Sequence, residues 1–334
     1  MATIIDVAKR AGVSFKTVSR VLNGEGNVRP ATRRKVLEAV KALDYRVNSA
    51  ARALRSKDPQ LIALVFNNTS RAYGTDLHLG AMLGCRDAGI GLFVHTQMDA
   101  DSIDKLARRD DVMGFLVGAP QVDDQNLIQI LNDSGKPVVR IATQKPIDTS
   151  FYISVDEKLA AQVATDHLIK LGHRKIALIG GPETSDSAIR RKEGFLTSLF
   201  EAQIEPNVNW QKNGNFDYES GQRITTSYLN SGNRPTALFA CNDDMAAGAI
   251  AAAYRLNLKL PEDLSIVGFD DSPIASVVYP AITTIRQTTQ SMAERAVKII
   301  AQKECQPNTG ARQIRAAHEL IIRESSSALQ SQPA

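Results

Sequence analysis

Residues 3–23 read TIIDVAKRAGVSFKTVSRVLN, and this stretch decides the fold of the amino-terminal end. Thr3 and Asp6 have the spacing of a capping box, with a side-chain oxygen at the N-cap and a carboxylate three residues on. Val7, Ala8 and Ala11 follow as an apolar stripe. Gly12 stops this helix, because a residue without a Cβ accepts the left-handed turn. Ser14 opens a second helix, Phe15 to Leu22, by accepting from the free amides of its first turn. Thr17, Val18, Val21 and Leu22 fall near its inner side, and Phe15, Lys16, Ser19 and Arg20 fall together on its outer side. Two cations, a hydroxyl and an aromatic on one face can read base edges. Arg20 can fork onto a guanine, Lys16 can do so less rigidly, and Phe15 can pack on a thymine methyl or a sugar.

Pro30 suits the first position of a third helix, whose stripe is Val36, Leu37, Val40 and Leu43. Arg33, Arg34 and Lys35 lie outside that stripe and suit phosphate contact. A single basic helix face is more often a solvated surface. Here the face comes with a glycine turn, a capped partner and a third helix at helix-turn-helix spacing, which favours DNA binding. Charge agrees. Residues 1–60 hold 13 Lys/Arg against 5 Asp/Glu, whereas the remainder holds 27 against 31. A basic head on a mildly acidic body is the footprint of nucleic-acid binding by one end.

Residues 48–55, NSAARALR, form an alanine-rich segment that Asn48 can cap. About two turns of isolated helix are unstable in water. The segment is expected to be loose unless a second copy packs on it in a minor groove. Leu54 would then be a wedge between base pairs, with Arg52 and Arg55 on phosphates. The competing reading is a plain flexible linker.

The 334 residues are 43% hydrophobic and 23% charged, a soluble globular composition sufficient for two or three compact units. Cys85, Cys241 and Cys305 are widely spaced and form neither a disulfide framework nor a zinc motif. No leader-like or membrane-spanning apolar run is found, so a cytoplasmic protein without membrane association is expected.

From Leu61 the chain alternates short apolar strands with longer amphipathic segments. The strands expected are Leu61–Phe66, Gly91–His95, Gly114–Val117 and Val138–Ile141, then Ile176–Ile179, Ala237–Ala240 and Ser265–Phe269. Helices are expected over Ala160–Leu171, Arg191–Ala202, Tyr218–Asn230 and Asp243–Leu256. Repeated strand–helix units imply parallel sheets covered on both faces, and two series suggest two lobes. Ligands bind such sheets beyond the carboxyl ends of the strands. That rule selects Asn67, Asn242 with Asp243, and Asp270 with Asp271. Gln287 lies where the chain crosses between lobes. Amides, carboxylates and arginine beside an aromatic suit a polyhydroxylated ligand. The plainer reading of each is a strand-end turn or cap.

The run from Ile5 to Asn23, with Val28-Arg29-Pro30-Ala31-Thr32-Arg33 and Leu43-Asp44-Tyr45, closely resembles the headpiece signature of the lactose-repressor (LacI/GalR) family. The resemblance continues through Gly172-His173-Arg174-Lys175-Ile176, residues 240–246 (ACNDDMA) and Val267-Gly268-Phe269-Asp270-Asp271. It implies a homodimer on a pseudo-palindromic operator in double-stranded DNA, with base-reading by Phe15, Lys16 and Arg20. Thr3, Ser14, Thr17, Ser19 and Asn23 match backbone-contacting positions, and Asn48, Ala51 and Leu54 match hinge contacts. It also implies a two-lobed body like a periplasmic binding protein with a small-molecule effector in the cleft. There Asn67, Phe216, Asn242, Asp270 and Gln287 match cleft positions. Two departures matter. Ile189 stands where an arginine is often found, so Arg191 is the expected substitute, ahead of Arg190. Thr289 stands where some members have an aromatic.

The fold class expected is therefore an all-α helix-turn-helix headpiece (1–46), a hinge (47–58), and a two-lobed α/β body with parallel sheets (59–324). Lobe 1 would take about 59–157 and 290–318, and lobe 2 about 158–288. Residues 325–334 would be a flexible tail without the leucine heptads of a tetramer. Function follows as a regulator, a repressor of carbohydrate-utilisation genes released when a sugar or sugar derivative binds. A corepressor-dependent regulator of another pathway is the alternative. A sugar-transport receptor would need a leader and no basic head. No nucleotide-binding glycine motif or paired metal spacing occurs, so neither catalysis nor a cofactor or metal is expected.

Overall fold

The computed structural model describes residues 3–22, 28–43, 61–67, 70–143, 145, 151–302, 304 and 312–329. Contacts divide the chain into two units, Met1–Pro59 and Gln60–Ala334.

In the first unit, helices α1 (Ile4–Ala11), α2 (Phe15–Leu22) and α3 (Pro30–Ala42) enclose a small core. Val7, Ala8, Val18, Val21, Val36 and Ala39 are buried there. The capping box forms reciprocally: the Thr3 amide donates to Asp6 Oδ2 at 2.8 Å and the Asp6 amide to Thr3 Oγ1 at 3.3 Å. Gly12 takes φ 65° as the turn demands, and the Thr17 amide donates to Ser14 Oγ at 3.2 Å. Leu37 corrects the expected stripe of α3. It is 50% exposed while Val36 and Ala39 are buried, because it sits one residue round from the helical period that faces α1 and α2.

The second unit has two lobes. Lobe 1 is a six-stranded parallel sheet built on β1 (Leu61–Val65), β2 (Gly91–His95), β3 (Val112–Val117), β4 (Val138–Ile141), β5 (Phe151–Ser154) and β11 (Arg312–Arg315), ordered β11-β5-β4-β3-β1-β2. Runs such as LIALV and VMGFLV are almost wholly buried because helices cover both faces. On one face lie α4 (Arg71–Ala88) and α12 (Thr289–Ala301), and the other takes α5 (Ala100–Ala107) and α6 (Gln125–Asp133). Lobe 2 pairs β6 (Ile176–Gly180), β7 (Gln211–Asn213), β8 (Ala237–Ala240) and β9 (Ser265–Val267) in the order β7-β6-β8-β9. Around it pack α7 (Glu157–Lys170), α8 (Asp186–Glu201), α9 (Tyr218–Leu229) and α10 (Asp243–Arg255), followed by a short α11 (Pro273–Val277). An antiparallel ribbon of β10 (Thr284–Gln287) and β12 (His318–Ile321) completes the unit.

The chain passes between lobes three times, after β5, after β10 and after β11. Its last described stretch departs from the expected tail. Ser325 is fully buried, its Oγ accepting from the Thr283 amide at 2.8 Å, and the Ile266 amide donates to the Ser325 carbonyl at 2.7 Å. The Leu329 amide reaches the Leu171 carbonyl at 2.8 Å. Residues 325–329 are thus fastened to lobe 2 by backbone bonds that their polar composition could not announce. Cys85 and Cys241 are buried and free. Among the described residues no helix is long and apolar enough to cross a membrane.

Candidate functional site

On the first unit, α2 carries Phe15, Lys16 and Arg20 exposed on one face, with Ser19 half-buried beside them. Burial of Val18 and Val21 on the opposite side fixes that orientation. Ser14 and Thr17 join hydroxyls at 2.9 Å at the start of the same helix, and the Thr3 hydroxyl donates to Asp6. Arg33 is half-buried on α3. Asn23, Asn48, Ala51 and Leu54 lie outside the described residues.

On the second unit, a cavity of about 180 Å³ opens between the lobes. It brings together Asn67, Arg191, Phe216, Asn242, Asp270 and Gln287, while Asp243 and Asp271, selected with them by the strand-end rule, stand outside its lining. They come from strand ends and helix starts far apart in the chain, as the crevice rule for parallel sheets demands. Pockets for drug-sized ligands run about 300–1,000 Å³, so this one suits something smaller.

Arg191 is its centre. The guanidinium is buried, donates from Nε to Glu157 Oε2 at 2.7 Å, lies 3.7 Å from Asp270 Oδ1 and bonds the Cys241 carbonyl. It also stacks 3.7 Å from the centroid of the Phe269 ring. Burial works against its charge, but Glu157 and Asp270 more than offset this, and its pKa rises. Arg190, by contrast, turns to Glu193 at 3.1 Å and does not line the cavity.

Asp270 accepts from Gln287 Nε2 at 2.6 Å. Burial pushes its carboxyl up to about 7, against the pull of Arg191 and Gln287. Its backbone is held at φ 111° and that of Asp271 at 54°, two successive left-handed residues that are not glycine. Such strain persists only where the surroundings enforce it. Here Asp271 is bonded by Arg286 at 2.7 Å and Arg323 at 2.5 Å. The two adjacent aspartate pairs thus split their roles. Asp270 faces the cavity, while Asp271 anchors the loop. Asp243 is buried away from the cavity, accepting from the Ser272 amide at 2.7 Å and Thr284 Oγ1 at 2.6 Å, and burial raises its pKa strongly.

Asn242 caps α10 through Met245 at 3.0 Å and donates to the Phe216 carbonyl at 3.0 Å, so it serves the fold as well as lining the cavity. Phe216 adopts φ 61° and lays its ring over Gly181, where a Cβ would stand 2.3 Å from the ring. Gly181, having no Cβ, is what admits that ring. Asn67 exchanges backbone bonds with the Gln121 side chain at 2.9 and 3.1 Å.

Sequence reasoning missed Glu157, Tyr73 and the hydroxyls of Ser70, Thr184, Ser185 and Ser187, which also line the cavity. Glu157 had a signal. It follows β5, and the strand-end rule would have found it had FYIS been read as a strand. Among the described residues no cluster of His, Cys, Asp and Glu is arranged to hold a metal ion.

A helix-turn-helix head and a two-lobed α/β body, with a cavity where a few polar side chains converge, define a DNA-binding regulator with a small-molecule pocket. Comparison with known proteins gives the family. A profile described as "Bacterial regulatory proteins, lacI family" matches residues 3–48, and one described as "Periplasmic binding protein-like domain" matches residues 165–326. The chain is 34% identical over 332 residues to the HTH-type transcriptional repressor PurR of Haemophilus influenzae (strain PittEE), covering 97% of this chain and 98% of that one. It is 32% identical over 330 residues to the PurR repressor of Mannheimia succiniciproducens, with the same coverage. The solved lac repressor dimer bound to operator and the anti-inducer ONPF matches with a TM-score of 0.81 at 28% identity, over 98% of this chain and 99% of that one. A complex of the transcriptional regulator CelR with cellobiose matches with a TM-score of 0.72 at 28% identity, over 98% and 100%. The chain belongs to the lacI family of bacterial regulatory proteins and is a DNA-binding transcriptional repressor.

Proposed function

We propose that this repressor acts in the cytoplasm as a homodimer on a pseudo-palindromic operator and is released when a sugar or sugar derivative fills the cavity between its lobes. Phe15, Lys16 and Arg20 read bases in the major groove. Thr3, Ser14, Thr17, Ser19, Asn23 and Arg33 hold the backbone, and the hinge residues Asn48, Ala51 and Leu54 enter the minor groove. The observation that carries the effector half is the meeting of Arg191, Asp270, Asn242, Gln287 and Asn67 with the Phe216 ring in one cavity. Hydroxyls pair with such groups in both directions, and an apolar sugar face stacks on a ring. A ligand shifts operator affinity only through its different affinity for two lobe arrangements, and one that touches both lobes, as this cavity allows, gains such a difference directly.

The test is to select an operator from random duplexes and titrate it by fluorescence anisotropy with and without mono- and disaccharides. Binding weakened at least about fivefold by a sugar is expected, within the usual range of allosteric coupling. Loss of all effect across the sugars removes the effector half. In the same assay Arg20→Ala should cost about 1–3 kcal/mol, concentrated at one base pair of each half-site. An equal loss on every duplex contradicts its reading role. A second reading rests on Asp270 and Phe216. A planar nitrogen heterocycle could stack on the ring and donate to the carboxyl, acting as corepressor. Operator binding would then tighten when the ligand is added.

A further inference from the structure

The positive charge lining the cavity is already paired. Among the described residues Arg191 is the single cationic side chain in its wall, and it is committed to Glu157 at 2.7 Å with Asp270 at 3.7 Å. Both carboxylates belong to the same wall. Lys145, on the lobe 1 side, stands outside the lining, between Asp123 at 3.8 Å and Asp186 at 3.5 Å. Helix starts elsewhere receive phosphates, and three of the four that reach this cavity carry an acid of their own. Of the helices whose first residues reach the cavity, α7 carries Glu157, α8 carries Asp186, and α10 carries Asp243 and Asp244 in the first turn. The fourth, α4, has its Ser70 cap turned to the Tyr73 amide.

Two acceptors of the wall residues lack donors. Glu157 Oε1 and Gln287 Oε1 are buried acceptors with no hydrogen-bond partner, on side chains 2% and 9% exposed. Leaving such an atom unpaired is costly, so the occupant is expected to bring hydrogens to it.

We infer that the cavity selects an uncharged ligand rich in O–H or N–H donors and rejects phosphate esters; under the sugar reading, the effector is an unphosphorylated sugar. This inference rests on the cavity being the effector site. Among the described residues of the wall, a phosphate dianion brought here finds no cation beyond the paired Arg191 and at least one buried carboxylate, and burying an unpaired charge is far costlier than burying a hydroxyl.

The test is ligand-dependent thermal stabilisation of the full-length protein by glucose, ribose, glucose 6-phosphate, ribose 5-phosphate and inorganic phosphate. Three proteins are compared: wild type, Glu157→Gln, which frees the Arg191 charge, and Ser187→Trp, which fills the cavity and reports phosphate binding elsewhere. Asp270→Asn replaces Glu157→Gln if the latter fails to fold. Wild type should bind each ester at least about tenfold more weakly than its parent sugar and respond to inorganic phosphate no more than Ser187→Trp does. Glu157→Gln should gain phosphate-dependent stabilisation. An ester that binds wild type more tightly than its parent, with the preference absent from Ser187→Trp, overturns the inference. So does a Glu157→Gln protein no more responsive to phosphate than wild type. If neither sugar binds, the sugar reading is what suffers; the phosphate comparison still decides the charge inference.

Discussion

The two lobes face the cavity with different chemistry. Lobe 1 offers Asn67, Ser70, Tyr73, Ala119, Pro120 and Ala142, all uncharged. Lobe 2 offers Arg191, Glu157 and Asp270, together with the amides Asn242 and Gln287. Every charge among the described wall residues therefore stands on one lobe, and its one cation is paired without waiting for a ligand or for closure. Lobe 2 is preorganised, and the cost of assembling its ion pairs was met on folding. Lobe 1 adds neutral hydrogen-bonding groups and shape. A ligand held first by lobe 2 can then draw lobe 1 onto itself, which gives the two lobe arrangements the differential affinity that allostery needs.

The sharpest break in this asymmetry is Arg191→Met. It leaves Glu157 and Asp270 buried with no cation, and removing one partner of a buried pair costs about 3–5 kcal/mol. Urea unfolding should show that loss. Adding Glu157→Leu to the same protein should restore part of it, because the stranded charge goes too. A loss below about 1 kcal/mol in the single variant means the lobe 2 wall is not held by its charges.

Asp270 gives the next largest effect. Burial raises its folded pKa to about 7 from 3.8, with Arg191 and Gln287 opposing and Glu157 and Asp244 adding to the rise. Below pH 4 the carboxyl is protonated folded or unfolded and contributes nothing. Between about pH 4 and 7 the unfolded chain releases a proton that the folded one keeps, so stability falls as pH rises, and the cost is complete above 7. Asp270→Asn removes the titration. Wild type should lose roughly 2–3 kcal/mol relative to the variant between pH 5 and 7.5, read as a changing difference in Tm. A pH-independent difference places the carboxyl in a more solvated setting than its burial implies.

The sequence carried the headpiece almost whole, because each of its decisions is local. Thr3 and Asp6 are three residues apart, Gly12 ends one helix, and Ser14 starts the next. Only the facing of Leu37 escaped, since the choice between Val36, Leu37 and Val40 is made by α1 and α2 rather than by α3. The cavity was legible where a residue follows an apolar strand, as Asn67, Asn242 and Asp270 do. It was hidden wherever the decisive contact is made by chain far away. Glu157 and Arg191 are 34 residues apart, and nothing near either announces the other. Ser325 reaches Ile266 and Thr283 across the fold, so a stretch of serines reads as a tail until lobe 2 is assembled around it.

The smallest effect belongs to lobe 1, and it tests whether that wall is as passive as its lack of charge implies. Tyr73 lines the cavity and its hydroxyl accepts from the Ala119 amide at 3.1 Å. Burial, with the Glu157 and Asp270 charges, holds its pKa well above the usual phenol value, so the group stays neutral and keeps a proton to donate. Tyr73→Phe removes one acceptor and one donor without introducing a charge. The Ala119 amide loses its partner, but water entering the open side of the cavity can replace it, so the cost should stay near about 1 kcal/mol. In a protein of this size that is a fall in Tm of about 1–2 °C. Ligand binding, followed by calorimetry with a sugar found to release the operator, should weaken by no more than about tenfold, one neutral hydrogen bond's worth. Arg191→Met in the same titration should abolish it. If Tyr73→Phe costs as much affinity as Arg191→Met, recognition is shared evenly across the cleft, and the division between a charged, preformed wall and a neutral, closing one fails.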